Sequence, residues 1–274
     1  MSELVVTPPK VTVKKRPQRS FLKAWWVLSL PMFVFLILPI LALLVSTSPS
    51  ELLENLTSPV VYEAISISLW TSAIAVIVTV IFGIPVAYLM ARRQFRFKRV
   101  VDSVLDLPTV LPPAVAGVAL LMIYGRRGIF GEWLDQFDIT IAFTPIAVII
   151  AQIFIASPFF IKSAAIGFES VEPELEQAAA LDGASGWCIF RMITLPLSRI
   201  ALLSGLVLMW ARALGEFGAT IIFAGNFPGV TQTMPLAIYL GFELDTSYAL
   251  TLSVILIGIS FLTLILVKGF FFQE

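Results

Sequence analysis

The most informative stretch for the fold is ELEQAAALDGASGWCIFRMITLP, residues 174–196. It is a polar, alanine-rich insert between two long apolar segments. Pro173 suits the first position of a helix, where its missing N–H costs nothing. Glu172, Glu174 and Glu176 favour the positive end of the helix dipole, and Gly183 supplies a left-handed stop. The pattern predicts a short helix over 173–183, packed either in a groove of another protein or against its own bundle, because so short a helix is marginal alone.

Around this insert the chain has the composition of a membrane protein. Its 274 residues are 58% hydrophobic and 13% charged, with a mean hydropathy of +0.96. A membrane-spanning helix needs about 20 largely apolar residues. The sequence therefore predicts an all-α polytopic membrane protein, with spans at about 25–46, 64–91, 104–124, 141–162, 200–224 and 248–270.

The distribution of Lys and Arg predicts the orientation. Basic residues concentrate in the N-terminal tail and in the loop at 92–99, whereas the loops after the first and fifth spans contain none. Cytoplasmic loops carry this excess. Both termini and the insert are therefore expected in the cytoplasm, with a basic tail at 1–24 and a single transmembrane domain over 25–274. The first apolar run is too long for a cleaved signal peptide, so it is interpreted as a span.

The sequence lacks the residues that several kinds of chemistry require. The chain has no histidine, one cysteine and no GxxxxGK[ST] phosphate-binding loop. Catalytic triads that need histidine, histidine metal sites and an internal disulfide are excluded, and no catalytic or metal-binding residues are predicted. No basic face separate from the membrane flanks suggests nucleic-acid binding. If ATP drives the protein, another chain must bind it.

One motif resembles a known family. Ala178-Ala179, three residues, Gly183, nine residues and then Ile193-x-Leu195-Pro196 are similar to the EAA signature of ABC importer permeases, with Gln177 in place of its first glutamate. In that family the segment is the coupling helix, which docks on a cytoplasmic ATPase. The resemblance implies that the docking residues are Glu174, Glu176, Gln177, Ala178, Ala179 and Gly183.

Other stretches extend the resemblance. LPTVLPPAVAGVALL (107–121), GRRGIFG (125–131), ARALGEFGATIIFAGN (211–226) and TQTMPLAIYL (231–240) are similar to molybdate-type permeases of the MetI-like superfamily, with sulfate and thiosulfate permeases as the alternative. The resemblance implies a homodimer in the inner membrane. It also implies two ATPase subunits that carry ATP and Mg²⁺, and an external oxyanion-binding protein. A passive channel and a membrane enzyme are the rival hypotheses.

Two charges and a proline-rich break are candidates for the translocation pathway. Arg212 is about 18 Å from the start of its predicted span, near the middle of the bilayer, where a charge must face protein or water. Glu216 follows at i+4, so the two side chains can pair. The pair either locks helix packing or offers positive potential to an anion. Thr109 and Pro112 lie where prolines interrupt the third span, a sign of a cavity-lining segment or a packing kink.

Overall fold

The computed structural model describes the backbone of residues 18–271 and the side-chain surroundings of residues 25–265 and 269. This part of the chain contains helices and no strand. The helices are α1 Gln18–Ser46, α2 Pro49–Leu56, α3 Pro59–Arg92, α4 Lys98–Val110, α5 Pro113–Tyr124, α6 Gly131–Asp135, α7 Pro145–Glu169, α8 Pro173–Leu181, α9 Gly186–Ile189, α10 Leu195–Leu197, α11 Arg199–Leu214, α12 Gly218–Phe223, α13 Met234–Leu244 and α14 Thr246–Phe271.

The chain divides by its contacts after Ser46. The first unit contains α1, an apolar helix with Pro31 and Pro39 inside it. Most of the basic tail predicted over 1–24 lies outside the described residues, but α1 already begins at Gln18. The second unit, from Thr47 onward, holds the remaining helices and all the candidate site residues.

Four helical segments of the described chain are long and apolar enough to cross a membrane. They are Trp25–Ser46, Pro59–Arg92, Pro145–Glu169 and Thr246–Ile265. Two bent helix pairs bring the total to as many as six. The all-α, multi-span architecture predicted from the sequence is confirmed, whereas two of the predicted spans differ in detail.

The third predicted span, 104–124, is not one helix. α4 and α5 meet at an angle of 113°. Leu111 and Pro112 between them are extended, with ψ of 137° and 131°. A residue before proline is disfavoured in the helical region, so the two consecutive prolines break the helix here.

The fifth predicted span, 200–224, is wrong at its far end. α11 ends at Leu214, and α12 begins only at Gly218. At its near end, Gly186–Leu197 and α11 form a bent pair with an angle of 71°. A five-residue π-helical segment, Phe190–Thr194, lies inside the first member of that pair.

The core of the second unit forms around α7. Large buried side chains of α7 and α11, such as Phe160, Phe168 and Met209, pack with small residues of α3. Glycines let these helices approach closely: a Cβ on Gly205 would lie 2.6 Å from the Cβ of Ser163, and one on Gly167 would lie 2.6 Å from the Cβ of Ala201. Small residues at such crossings are typical of helix packing in membranes, so α7 and α11 are held in one register.

Hydrogen bonds tie the outer helices to this core. The side chain of Asn55 on α2 is buried and donates to Ser247 Oγ at 2.9 Å and Thr251 Oγ1 at 2.8 Å on α14. On α11, Trp210 Nε1 donates to Ser72 Oγ of α3 at 2.9 Å. Buried polar groups need such partners, and each bond also fixes the relative position of two helices.

Candidate functional site

The polar insert folds as a helix with a well-defined end. α8 begins at Pro173 and ends at Leu181, within two residues of the predicted 173–183. The Ala184 N–H donates to the Ala179 carbonyl and the Gly183 N–H donates to the Ala180 carbonyl, at 3.0 and 3.1 Å. This pair of bonds is the Schellman motif. Gly183 has φ of +88°, so the predicted left-handed stop is confirmed.

Glu176 anchors α8 to its own chain. Its Oε1 accepts from Arg92 Nη2 at 2.8 Å and from Thr194 Oγ1 at 2.6 Å. The same guanidinium donates to the carbonyl of Val171 at 3.0 Å. The Arg92 and Glu176 side chains are 15% and 17% exposed, so water screens the pair little. We call Arg92, Glu176 and Thr194 the Glu176 junction.

The Glu176 junction joins three elements that are far apart in sequence. Arg92 is the last residue of α3, and Thr194 ends the π-helical segment that leads towards α11. Ser198, at the 71° bend, donates through its hydroxyl to the carbonyls of Gly167 and Thr194, at 3.0 and 2.8 Å. These hydrogen bonds therefore connect α8 with the ends of α3 and α7 and with the start of α11.

Most of the other predicted docking residues are more exposed than Glu176. Glu174, Gln177 and Ala178 are exposed, and Ala179 is half-buried. One face of α8 packs on its own chain, as the second interpretation of the insert expects, and the other face is open. Docking of the open face on another protein stays a prediction. Sequence reasoning missed Glu176 as an anchor, since its partners are 84 and 18 residues away.

Three large apolar side chains of the same segment are also exposed. Leu181, Trp187 and Met192 are 89%, 70% and 69% exposed. Their signal in the sequence is the presence of large apolar residues within or beside a polar insert. They make part of the exposed surface of this segment apolar.

The predicted Arg212–Glu216 pair forms. Arg212 Nη1 lies 2.9 Å from Glu216 Oε2. The pair does not lie on one continuous helix, because α11 ends at Leu214 and Glu216 stands in the connection to α12. Glu216 Oε1 also accepts from the Ala219 N–H at 2.9 Å, in the first turn of α12. The Glu216 side chain is 1% exposed, whereas that of Arg212 is 32% exposed.

Thr109 and Pro112 both lie beside the break between α4 and α5. Both residues are exposed, but the Thr109 hydroxyl already donates to the Asp106 carbonyl at 2.7 Å. The side chain of Asp106 forms an ion pair with Lys162 on α7, at 2.5 Å. This ion pair connects α4 with α7.

Comparison with known proteins agrees with these features. The family described as "binding-protein-dependent transport system inner membrane component" matches residues 83–271. The molybdenum transport system permease protein of Escherichia coli K12 is 45% identical over 179 residues, which cover 65% of this chain and 78% of that protein. The sulfate transport system permease protein CysW of Synechococcus elongatus is 38% identical, with coverage of 79% and 76%.

A solved structure shows the same fold. A membrane chain from a bacterial ABC transporter for alginate import superposes with a TM-score of 0.71 at 14% identity, covering 94% of this chain and 97% of that one. The family match spans more than half of the chain, and the apolar helices agree with a multi-pass inner membrane protein. The chain therefore belongs to the binding-protein-dependent transport system inner membrane components, the MetI-like permease subunits of ABC transporters, and is a transport subunit, not an enzyme.

Proposed function

We propose that this chain forms the translocation path of an ATP-driven importer of molybdate, a tetrahedral oxyanion. The choice of cargo rests on the 45% identity to the molybdenum permease of Escherichia coli. The alternative cargo is sulfate or thiosulfate, because a sulfate permease is 38% identical. A channel without ATP coupling would keep its transport when the ATPase is lost.

The partners in this proposal follow from the chain's family and from its missing GxxxxGK[ST] phosphate-binding loop. Two copies of the chain enclose one path, two cytoplasmic ATPase subunits bind ATP and Mg²⁺, and an external protein delivers the anion. One structural neighbour, a bacterial alginate ABC transporter, was solved in complex with a periplasmic protein that holds an alginate pentasaccharide. Both termini and α8 face the cytoplasm, which is the orientation that the basic loops favour.

The Glu176 junction is the observation that carries the coupling role. Closure of the ATPases on ATP moves the open face of α8, at Glu174, Gln177 and Ala178. Because Glu176 holds Arg92 and Thr194, this motion reaches α3 and α11 together. Rigid-body rocking of helices about such contacts changes which side of the membrane the path opens to.

The Arg212–Glu216 pair has two roles in this mechanism. Glu216 is buried and fixes the start of α12, so its role is structural. Its charge is neutralised by Arg212 and does not repel an anion. The part of Arg212 that stays exposed offers positive potential to the anion. Thr109 and Pro112 are proposed to line the same path at the α4–α5 break.

Elemental analysis tests the cargo. Cells with and without the gene are grown in limiting molybdate with excess sulfate, and their molybdenum content and sulfur uptake are measured. We expect loss of molybdenum accumulation with unchanged sulfur uptake, restored by a plasmid copy. Unchanged molybdenum with reduced sulfur uptake would overturn the choice of molybdate.

A further inference from the structure

A basic groove lies at one boundary of the membrane-spanning region. It has a volume of about 680 Å³ and lies between the end of α3, the start of α4 and the end of α7. Since α3 ends at Arg92 and α7 ends at Glu169, the groove lies where these two membrane-spanning helices end. Its basic lining residues are Arg96, Lys98, Arg99 and Lys162.

Two of these cations lie at the positive, N-terminal end of the α4 dipole. Lys98 is the first residue of this helix and Arg99 the second, and the first turn contains no acidic residue. The N-terminus of a helix carries partial positive charge and unpaired N–H groups. Cations there raise the electrostatic energy unless an anion is present. The start of α4 is thus arranged to receive negative charge.

The carboxylates around the groove leave this charge uncompensated. Among the described residues, no ion pair joins Arg96, Lys98 or Arg99 to a carboxylate. Asp102 and Glu169 also line the groove, and Lys162 is shared by Asp102 at 3.3 Å and Asp106 at 2.5 Å. The four cations of the groove thus stand against three carboxylates, and the start of α4 adds partial positive charge, so the groove is positive.

An apolar surface continues from the groove along α4. Val100 lines the groove, and Val104 and Leu107 follow it at i+4 and i+7 on the same face. Their exposures are 58%, 60% and 52%. Ile166 at the edge of the groove is 65% exposed. A free inorganic oxyanion needs no such surface, whereas the acyl chains of a lipid do.

We propose that this groove binds the phosphate of an anionic phospholipid, with its acyl chains along Val100, Val104 and Leu107. The headgroup phosphate meets the N–H groups of Arg99 and Val100 in the first turn of α4, since that of Lys98 already donates to the Phe95 carbonyl. It also meets the side chains of Arg96, Lys98 and Arg99. The bound lipid connects the α3–α4 loop to the end of α7. The residues proposed to bind the lipid are distinct from those proposed to contact the cargo and the ATPase.

Lipid retention by the assembled transporter tests the proposal. The complex is extracted from vesicles of equimolar phosphatidylglycerol and phosphatidylcholine, and the lipids retained per complex are counted by native mass spectrometry. One cation near an anionic lipid surface contributes about fivefold in affinity. We expect the preference for phosphatidylglycerol to fall by more than about tenfold in R96Q/K98Q/R99Q.

The matched control neutralises two arginines of another loop, in R126Q/R127Q, and should leave the preference unchanged. The single variants R96Q and K98Q are each expected to lower it about fivefold, and they serve if the triple variant does not fold. An unchanged preference in both single variants overturns the proposal.

Two further arms separate the other possible occupants. Millimolar inorganic phosphate or molybdate is added to the lipid-free complex, and binding is followed by calorimetry. Binding of either ion that the triple variant abolishes, with lipid preference unaffected, assigns the groove to a free oxyanion and overturns the lipid. If the permease alone retains phosphatidylglycerol but the full complex does not, a protein covers the groove, and this result also overturns the lipid proposal.

Discussion

Substitution of Glu176 by alanine should uncouple transport from ATP hydrolysis. The Glu176 carboxylate accepts hydrogen bonds from Arg92 at 2.8 Å and from Thr194 at 2.6 Å, at a site where its side chain is 17% exposed. A hydrogen bond to a charged group contributes about 1.5–3 kcal/mol. Loss of both therefore weakens the attachment of α8 by about 3 kcal/mol or more. Glutamine keeps an acceptor for Thr194 but loses the charge, so we expect Glu176→Gln to weaken the attachment of α8 by about 1–2 kcal/mol.

A double-mutant cycle measures the ionic part of this attachment. Arg92→Ala, Glu176→Ala and the double variant are compared by thermal unfolding of the purified complex. We expect a coupling energy of about 1.5–3 kcal/mol, because the pair is mostly buried and each single variant leaves a polar partner behind. A coupling energy near zero would mean that the pair does not hold α8.

The functional assay uses proteoliposomes with the ATPase and the binding protein. Anion uptake and ATP hydrolysis are measured in the same vesicles, and the number of ATP molecules hydrolysed per anion imported is compared. A free-energy change of about 1.4 kcal/mol corresponds to a tenfold change in an equilibrium, so we expect this number to rise by about tenfold or more in Glu176→Ala. Glu54→Gln, an exposed glutamate of α2, is the control and should behave as the wild type. If Glu176→Ala lowers the unfolding temperature but keeps the wild-type number, the junction is structural only and does not couple the two processes.

Three further predictions concern other parts of the site. Gly183→Ala should lower the free energy of unfolding by about 1–2 kcal/mol, because φ is +88°, and should also lower uptake. Gly186→Ala is the control and should change neither, since an added Cβ has open space at both positions. Equal uptake by the two variants would contradict a role for the left-handed stop. Arg212→Gln should lower the unfolding temperature by a few degrees more than Glu216→Gln does. The loss of Arg212 leaves the buried Glu216 carboxylate unpaired, which costs about 3 kcal/mol. When both are changed to glutamine, transport should fall more than stability, and equal losses would limit the pair to a structural role. Asn55→Ala should lower the free energy of unfolding by about 1–3 kcal/mol through loss of its bonds to α14, and no change in unfolding temperature would show that these bonds are not needed.

Local signals in the sequence were sufficient for several features. Pro173 and Gly183 determined where α8 begins and ends, because caps depend on the residues at the helix ends themselves. The i, i+4 spacing of Arg212 and Glu216 predicted their ion pair. The apolar runs predicted a multi-span helical protein. The orientation of that protein and its docking residues remain predictions.

Other features could not be inferred from local signals. The double proline at 112–113 predicted an interruption, but the 113° angle depends on how α5 packs against α7 and α12. The end of α11 at Leu214 was missed because residues 200–224 are predominantly apolar, and hydropathy does not distinguish one long helix from two short ones.

Residues close together along the chain were enough to establish the class of the protein, its family and the existence of a short polar helix, because composition, helix caps and motif spacing are encoded over a few consecutive positions. The inward direction of Glu176 came from the folded molecule alone, since its partner Arg92 is 84 residues away. Folding also gathered Arg96, Lys98 and Arg99 with the end of α7 into one groove. Contacts of this kind depend on how helices cross, and the crossing is set by packing over the whole bundle.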